Sequence, residues 1–485
     1  MELTYRPATE LARMIRDGEI GSEALLDAML DRIERRNPGL NAVVHLDADR
    51  ARERAKEADA ALSRGESWGP LHGLPMTIKE TYEIEGMPTT AGAPELKDHR
   101  STINAVAAQR LIDAGAIIVG KTNVPLYAGD LQSYNEIYGT TNNPWDTERT
   151  PGGSSGGAAA ALAAGLTPLE YGSDIGGSIR TPASFCGVCG HKPSFGIVPA
   201  RGHVPGPPGS LTAADIGVMG PLARSVDDLE LALDVTAGPD RDDAVGWNLA
   251  LPGPRHRSLE DFRVAAWLDD QTCPVDRRAV ALLQSAVAAV RDAGARVDDG
   301  ARPEGVTLQA AHEVYYDLLT AAMGAGLPRK VFDGMVETAS QADPADGSYG
   351  VRFARGATQR HAAWLHTHER RLHMRRAWAA FFEHYDVLLC PVTNSLSFRH
   401  DHSSPIYERS LEINGRTTPY MDIVVWAGLT GVVYLPVTVV PVGRTDDGLP
   451  VGVQIVGPYL EDRTCLAFAR HLEQLLGGFT PPPGY

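Results

Sequence analysis

What most limits the fold of this chain is the way short apolar runs trade places with helical periodicity from residue 74 onward. The runs lie at residues 76–78, 117–119, 262–268, 387–389, 433–440 and 451–456. They are nearly continuous rather than alternating, which is how strands read when both faces of a sheet are covered. Among them, apolar residues recur at helical spacing in residues 104–114, 226–237, 276–293, 308–323, 359–384 and 462–476. Such alternation predicts an α/β protein built on a largely buried sheet. The first 65 residues read instead as helices. Ser22 is placed to cap one whose apolar face uses Leu25, Leu26, Met29, Leu30 and Ile33, and a second spans about residues 47–63.

A chain of 485 residues suits one large domain or two to three modules. With 43% hydrophobic and 22% charged residues it can bury a core, which excludes a disordered or disulfide-stapled chain. Acidic residues outnumber basic ones, 61 to 45, for a net charge of −16. A phosphate-binding surface needs the opposite sign, so nucleic acid is not an expected partner. Five cysteines, an odd number, read as reduced thiols, and residues 1–20 hold no apolar leader. Both point to the cytoplasm. Residues 423–443 carry no charge, but Gly428, Gly431, Pro436 and Pro441 interrupt them. Two short buried strands joined by a loop are expected there rather than a membrane span.

Residues 140–220 read as loop-rich and dense in glycine and serine. Two motifs stand out there: Pro151-Gly152-Gly153-Ser154-Ser155-Gly156-Gly157 and Ser173-Asp174-Ile175-Gly176-Gly177-Ser178-Ile179-Arg180. Glycine lets the backbone turn sharply and approach a ligand closely. A serine directly after two glycines can sit on such a turn with neighbouring N–H groups converging on one spot, which suits an oxyanion hole. The bland reading, a flexible linker, is weakened because both motifs lead into apolar segments.

A serine nucleophile needs a base. His191 and His203 are the nearest histidines in sequence, and neither sits in a recognisable motif. Only six lysines occur in the chain, and one of them, Lys79, ends the apolar run Leu74-Pro75-Met76-Thr77-Ile78. A buried lysine loses hydration and its pKa falls. To act as a base near pH 7 it must drop about three units from ~10.4. The bland reading is a strand-end lysine reaching solvent.

Rival motifs are weaker. Residues 115–122 match G-x4-G-K-[ST], but the four middle residues are strand formers and no helix follows, as a phosphate loop requires. Gly153-Ser154-Ser155-Gly156-Gly157 fits a nucleophile elbow, but a polar loop rather than a strand precedes it. Cys186, Cys189 and His191 lack a second pair at zinc spacing. His361, His366, His368 and His373 share a helix interleaved with arginines, which reads as a solvated face.

Together these residues resemble the amidase signature family of serine hydrolases. The resemblance runs along most of the chain. It covers residues 73–92, where Lys79 precedes Thr89-Thr90-Ala91-Gly92, then Gly120-Lys121-Thr122-Asn123, Asn143-Pro144-Trp145, both serine motifs, residues 187–193 and residues 448–457. Glu80 departs from the aspartate that many members carry after the lysine. The resemblance implies one α/β/α domain over residues 1–485 with a mixed twisted sheet flanked by helices. Within it lie an N-terminal helical segment (1–65), a signature core (73–225) and the remaining sheet, helices and pocket segments (226–485).

It also implies a Ser–Ser–Lys triad with Ser178 as nucleophile, Ser154 as bridging serine after a cis peptide bond, and Lys79 as base. The N–H groups of Ile175, Gly176, Gly177 and Ser178 would form the oxyanion hole. Ser155, Asp174 and Arg180 would support the glycine loops, and the Ala128 carbonyl would face substrate. The implied activity is hydrolysis of a small-molecule amide, extending to aryl anilides, esters and carbamates, with no metal or organic cofactor. The alternative is an amidotransferase subunit that releases ammonia from glutamine in a multi-subunit, tRNA-dependent complex. Pocket walls are expected from residues 126–138, 314–327 and 395–426, whose Tyr127, Tyr134, Tyr315, Tyr316 and Trp426 suit an apolar or aryl substrate. Oligomeric state stays open, with the N-terminal helices as one surface for a homodimer.

Overall fold

The computed structural model describes residues 2–204 and 207–485. Its centre is an eight-stranded sheet in the order Arg296–Asp298, Arg263–Ala266, Val387–Pro391, Pro450–Val456, Val437–Arg444, Cys189–Lys192, Val218–Ala223, Leu169–Asp174. The first three strands are parallel and every later pair is antiparallel, so the sheet is mixed. Helices Val226–Thr236, Arg277–Asp292 and Asp462–Leu476 belong to one apolar cluster. Helices Gly156–Ala163 and Arg180–Cys186 join the N-terminal helices in another. The result is a helix–sheet–helix sandwich, as an α/β reading requires.

A three-stranded side sheet sets Pro75–Lys79 parallel to Ile117–Thr122, with Val43–Leu46 antiparallel on the far side. Every residue of Pro75–Lys79 and Ile117–Thr122 is buried, which is why both read as unbroken apolar runs. Pro75–Lys79 packs against Leu169–Asp174 of the main sheet. That contact brings Lys79 to the end of the strand that carries Ser173 and Asp174.

Several expectations are corrected. Ser22 does not cap its helix. Asp59 of helix Ala48–Ser63 accepts the N–H groups of Ser22 (2.7 Å) and Glu23 (3.1 Å), while Ser22 Oγ donates to the Gly73 carbonyl (2.6 Å). One carboxylate offers two acceptors and so serves two orphan N–H groups at once. The apolar face of helix Ser22–Leu40 is buried inside the chain.

Residues 140–220 hold more regular structure than expected: two helices and three main-sheet strands. Helix Gly156–Ala163 is buried on all sides, so its sequence shows no apolar stripe. Residues 423–443 are not two strands. They form helix Val424–Gly431 followed by strand Val437–Arg444. A Cβ at Gly428 would lie 2.5 Å from the Tyr315 ring, so this glycine permits close helix packing rather than a turn. Helices Arg329–Gln341 and Tyr349–Ala357 were not foreseen; both contain interior glycine, which weakens the helical signal. Among the described residues no helix is long and apolar enough to cross a membrane.

Candidate active site

Lys79 ends its strand fully buried. Its Nζ lies 2.7 Å from Ser154 Oγ and 2.9 Å from Ser173 Oγ. Burial pulls its pKa from 10.5 down to about 7, and the nearby Asp174 and Glu170 offset only part of that. The charged form is thereby disfavoured by roughly 5 kcal/mol relative to water. Near neutral pH a substantial fraction is the free amine, whose lone pair can accept a proton.

Lys121 is also buried but differently placed. Its Nζ donates to the carbonyls of Tyr82 (2.5 Å), Pro88 (3.2 Å) and Glu80 (3.4 Å) and to Thr89 Oγ1 (3.0 Å). This cage within the strand Ile117–Thr122 leaves no open cradle, so residues 115–122 are not a phosphate loop.

Ser154 follows Gly153 through a cis peptide bond, as the resemblance implied. Ser133 holds this turn: its Oγ donates to the Gly152 carbonyl (3.1 Å) and accepts the Gly156 N–H (3.0 Å). Ser155 ties the two serine turns together. Its N–H donates to the Ser178 carbonyl (3.2 Å) and its Oγ to the Ser173 carbonyl (3.4 Å).

The second turn is wound around a buried ion pair. Asp174 accepts the N–H groups of Gly177 (2.9 Å) and Ile179 (3.1 Å) and a bidentate contact from Arg180 (3.0 and 2.8 Å). Burial alone would raise the Asp174 carboxyl, but the Arg180 charge and hydrogen bonds outweigh it and hold the pKa at about 2. Arg180 Nη1 reaches onward to the Ala427 carbonyl (2.9 Å), Thr430 Oγ1 (3.0 Å) and Gln454 Oε1 (2.7 Å). Gly177 has φ 99°, and a Cβ there would meet Thr181 Oγ1 at 2.9 Å, so only glycine fits.

Of the four expected oxyanion donors, Ile175, Gly176 and Ser178 line a cavity, and their N–H groups have no acceptor among the described residues. Gly177 does not line it, because its N–H is committed to Asp174. Tyr315, expected in the pocket wall, instead donates from its hydroxyl to the Ile175 carbonyl (3.1 Å) and so fixes the loop.

The cavity measures about 320 Å³. Ser154, Ser173 and Ser178 stand at its polar end, and Leu131, Tyr316, Leu319, Met323, Phe353 and Met421 supply apolar wall. Among the described residues no lysine or arginine lines it. Asp130 does, but Arg409 (2.7 Å), Tyr420 (2.6 Å) and Tyr134 (3.0 Å) occupy its carboxylate. Tyr127 and Ala128 border the cavity with φ 50° and 54°. They are placed through a short chain: the Tyr127 N–H donates to the Ala91 carbonyl (2.7 Å), and Glu80 accepts the N–H groups of Thr90 (2.5 Å) and Ala91 (2.7 Å). Glu80, the departure from aspartate after the lysine, thus anchors this segment through its carboxylate. Tyr134 and Trp426 do not line the cavity; Trp426 is buried and donates to the Cys273 carbonyl (3.1 Å).

Three groups around Lys79 had no role assigned from sequence: Ser173 lay inside a motif, His203 was weighed as a base but sits in none, and Glu170 was not singled out. Ser173 shares its amine. Glu170 is fully buried, accepts the Thr77 hydroxyl, and burial pushes its pKa up to about 8. His203 Nε2 lies 2.9 Å from Ser173 Oγ, and both residues line the cavity. Only tertiary contact joins them to Lys79, so no local motif announces these roles.

A buried amine bonded to Ser154, a second serine on the same cavity and a glycine-wound loop on a mixed sheet are features of an amide-cleaving enzyme. Comparison with known proteins agrees. The family model for Amidase matches residues 24–466, and the chain belongs to that family. It is 32% identical over 488 residues to an acylamidase from Rhodococcus erythropolis, covering 97% of this chain and 95% of that one. It is 31% identical over 507 residues to a glutamyl-tRNA(Gln) amidotransferase subunit from Natranaerobius thermophilus, covering 100% and 98%. Among solved structures, a bacterial aryl acylamidase of the amidase signature enzymes superposes with TM-score 0.80 at 25% identity, over 97% of this chain and 96% of that one. A 6-aminohexanoate cyclic dimer hydrolase complexed with substrate gives 0.80 at 26%, over 100% and 99%.

Proposed function

We propose that this chain hydrolyses amides of apolar or aryl carboxylic acids through an acyl-enzyme on Ser178, working without partner subunits. Neutral Lys79 takes a proton from Ser154, which takes one from Ser178. Ser178 Oγ bonds to the substrate carbonyl carbon as the C=O electron pair moves onto oxygen. The N–H groups of Ile175, Gly176 and Ser178 hold that oxyanion; losing one such donor typically costs ~10²–10³ in rate. The intermediate collapses, the C–N bond breaks, and the proton on Lys79 returns through Ser154 to the departing amine. Water then attacks the ester by the same route in reverse, releasing the acid and restoring the Ser178 hydroxyl. Esters, anilides and carbamates fit the same cycle.

The observation that carries this reading is the cavity wall. Glutamine brings an α-carboxylate and an α-ammonium, and burying either without a partner is costly. A wall without lysine or arginine, whose Asp130 and Asp174 are already paired with Arg409 and Arg180, offers neither group a partner. An alkyl or aryl acyl group gains about 25 cal/mol per Å² buried against the same wall. The likeness to an acylamidase and an aryl acylamidase supports this choice, while the amidotransferase relatives keep the alternative alive. The five buried cysteines are free, which suits a reducing compartment, and the cytoplasm is the proposed location.

The test is a panel of chromogenic anilides, esters and carbamates plus L-glutamine, assayed on the purified single chain and on Ser178→Ala. Turnover of the aryl substrates that vanishes in the variant, without ammonia release from glutamine, is expected. Glutamine as the sole substrate would establish the amidotransferase reading instead.

A further inference from the structure

Lys79 has two hydroxyl partners and, when neutral, a single lone pair. For it to act as base, that lone pair must face the Ser154 O–H, so Ser173 must receive one of the amine's N–H bonds. Ser173 Oγ then needs its own acceptor, since a hydroxyl proton without one would turn back to Nζ and occupy the lone pair. One lies within reach: His203 Nε2 stands 2.9 Å from Ser173 Oγ and 2.9 Å from Thr81 Oγ1.

The imidazole is held in place. His203 pairs with Tyr82 as an isolated bridge, its ring meets the Tyr82 ring edge-on at 5.1 Å, and its backbone N–H donates to the Ala200 carbonyl (3.0 Å). We propose that His203, acting through Ser173, is a positioning residue that turns the lone pair of Lys79 toward Ser154.

Hydrogen-bond direction makes the case. With an unprotonated Nε2, whose lone pair the Ser173 hydroxyl shares with that of Thr81, the order runs Lys79 N–H to Ser173 Oγ, then Ser173 O–H to His203 Nε2, and the amine lone pair is left for Ser154. With a proton on Nε2 the direction reverses: Ser173 accepts from the imidazole and its own O–H points at Nζ. The proposed state is the neutral ring with its proton on Nδ1 and Nε2 free to accept. Burial and the neighbouring Lys79 lower its pKa to about 3, so the doubly protonated ring is not populated at working pH. The other titratable groups beside Lys79 and His203 are Tyr82, Glu170 and Asp174. Asp174 is locked to Arg180 and Glu170 is bonded by Thr77, so neither competes for Ser173.

The inference rests on Lys79 being the base, and the experiment separates the two. Steady-state kinetics on an aryl anilide compare wild type with His203→Leu, His203→Gln, Ser173→Ala, the double variant and Lys79→Ala. His203→Leu and Ser173→Ala should each lose about tenfold in kcat with KM little changed. The double variant should lose no more than either single one, because both break one relay. His203→Gln, whose amide oxygen can stand in for Nε2, should recover most of the loss. Wild-type kcat in His203→Leu, or losses that multiply in the double variant, would overturn the inference. Should His203→Leu fail to fold, wild-type kcat in Ser173→Ala overturns it equally. Activity surviving in Lys79→Ala would sink the underlying base assignment instead.

Discussion

Lys79 and Glu170 are buried close enough for each charge to act on the other; the amine is lowered to about 7, so a substantial fraction is free near neutrality, and the carboxyl is raised to about 8, so it largely keeps its proton there. For an anilide, kcat/KM should therefore rise with pH through about 7 as the ammonium gives up its proton. Glu170 keeps its proton across this limb, so Glu170→Gln should leave the limb near pH 7; a shift to lower pH would show an ionised Glu170 holding the ammonium. Tyr315 acts at the same scale. Tyr315→Phe removes the hydroxyl that holds the Ile175 carbonyl, at a stability loss of about 1 kcal/mol. We expect kcat to fall about tenfold, since an oxyanion donor is misplaced while the fold persists. Lys79, Ser154 and Ser178 were legible in the sequence because glycine turns and an apolar strand mark them locally. Ser173, Glu170, His203 and Tyr315 were not, because each acquires its role from a contact across the fold. Gly177 read as an oxyanion donor for the complementary reason: sequence spacing does not reveal that Asp174 curls back to take its N–H.

At the level of elements, strands with an unbroken apolar run were the easiest to read; Leu169–Asp174, Cys189–Lys192 and Val218–Ala223 are equally buried but carry glycine and polar residues or proline, and read as loop. Helices Gly156–Ala163 and Val424–Gly431 were missed for the same physical reason. A helix covered on every side loses its periodicity, and its glycines then look like breakers. Gly428 makes the point testable. Gly428→Ala would place a methyl 2.5 Å from the Tyr315 ring, forcing apart the two helices that flank the Ile175 loop. A destabilisation of about 1–3 kcal/mol is expected, read from the denaturant midpoint, together with lost anilide turnover. Unchanged stability would mean that the contact relaxes freely.

Across the whole molecule, the buried titrating groups make stability depend on pH. Glu170 holds its proton to about 8 when folded, against 4.5 as the reference value. Between those values the folded chain keeps a proton that the unfolded chain has released, so stability falls as pH rises through this window and levels off above it. Lys79 acts oppositely between about 7 and 10.5, where the unfolded chain binds the extra proton and stability rises with pH. Glu170→Gln has no proton to lose, so its stability relative to wild type should grow from about pH 5 to about pH 8, measured by denaturant unfolding. A constant difference would show that Glu170 titrates normally. The central claim, that an uncharged Lys79 drives acylation of Ser178, is tested most directly by the pH dependence of kcat/KM for an aryl anilide in wild type and Lys79→Ala, with Ser178→Ala as the blank. The account predicts an ascending limb near pH 7 in wild type, and a rate lower by about 10²–10⁴ with no such limb in Lys79→Ala. Wild-type turnover in Lys79→Ala, or a wild-type profile flat across that range, would contradict it.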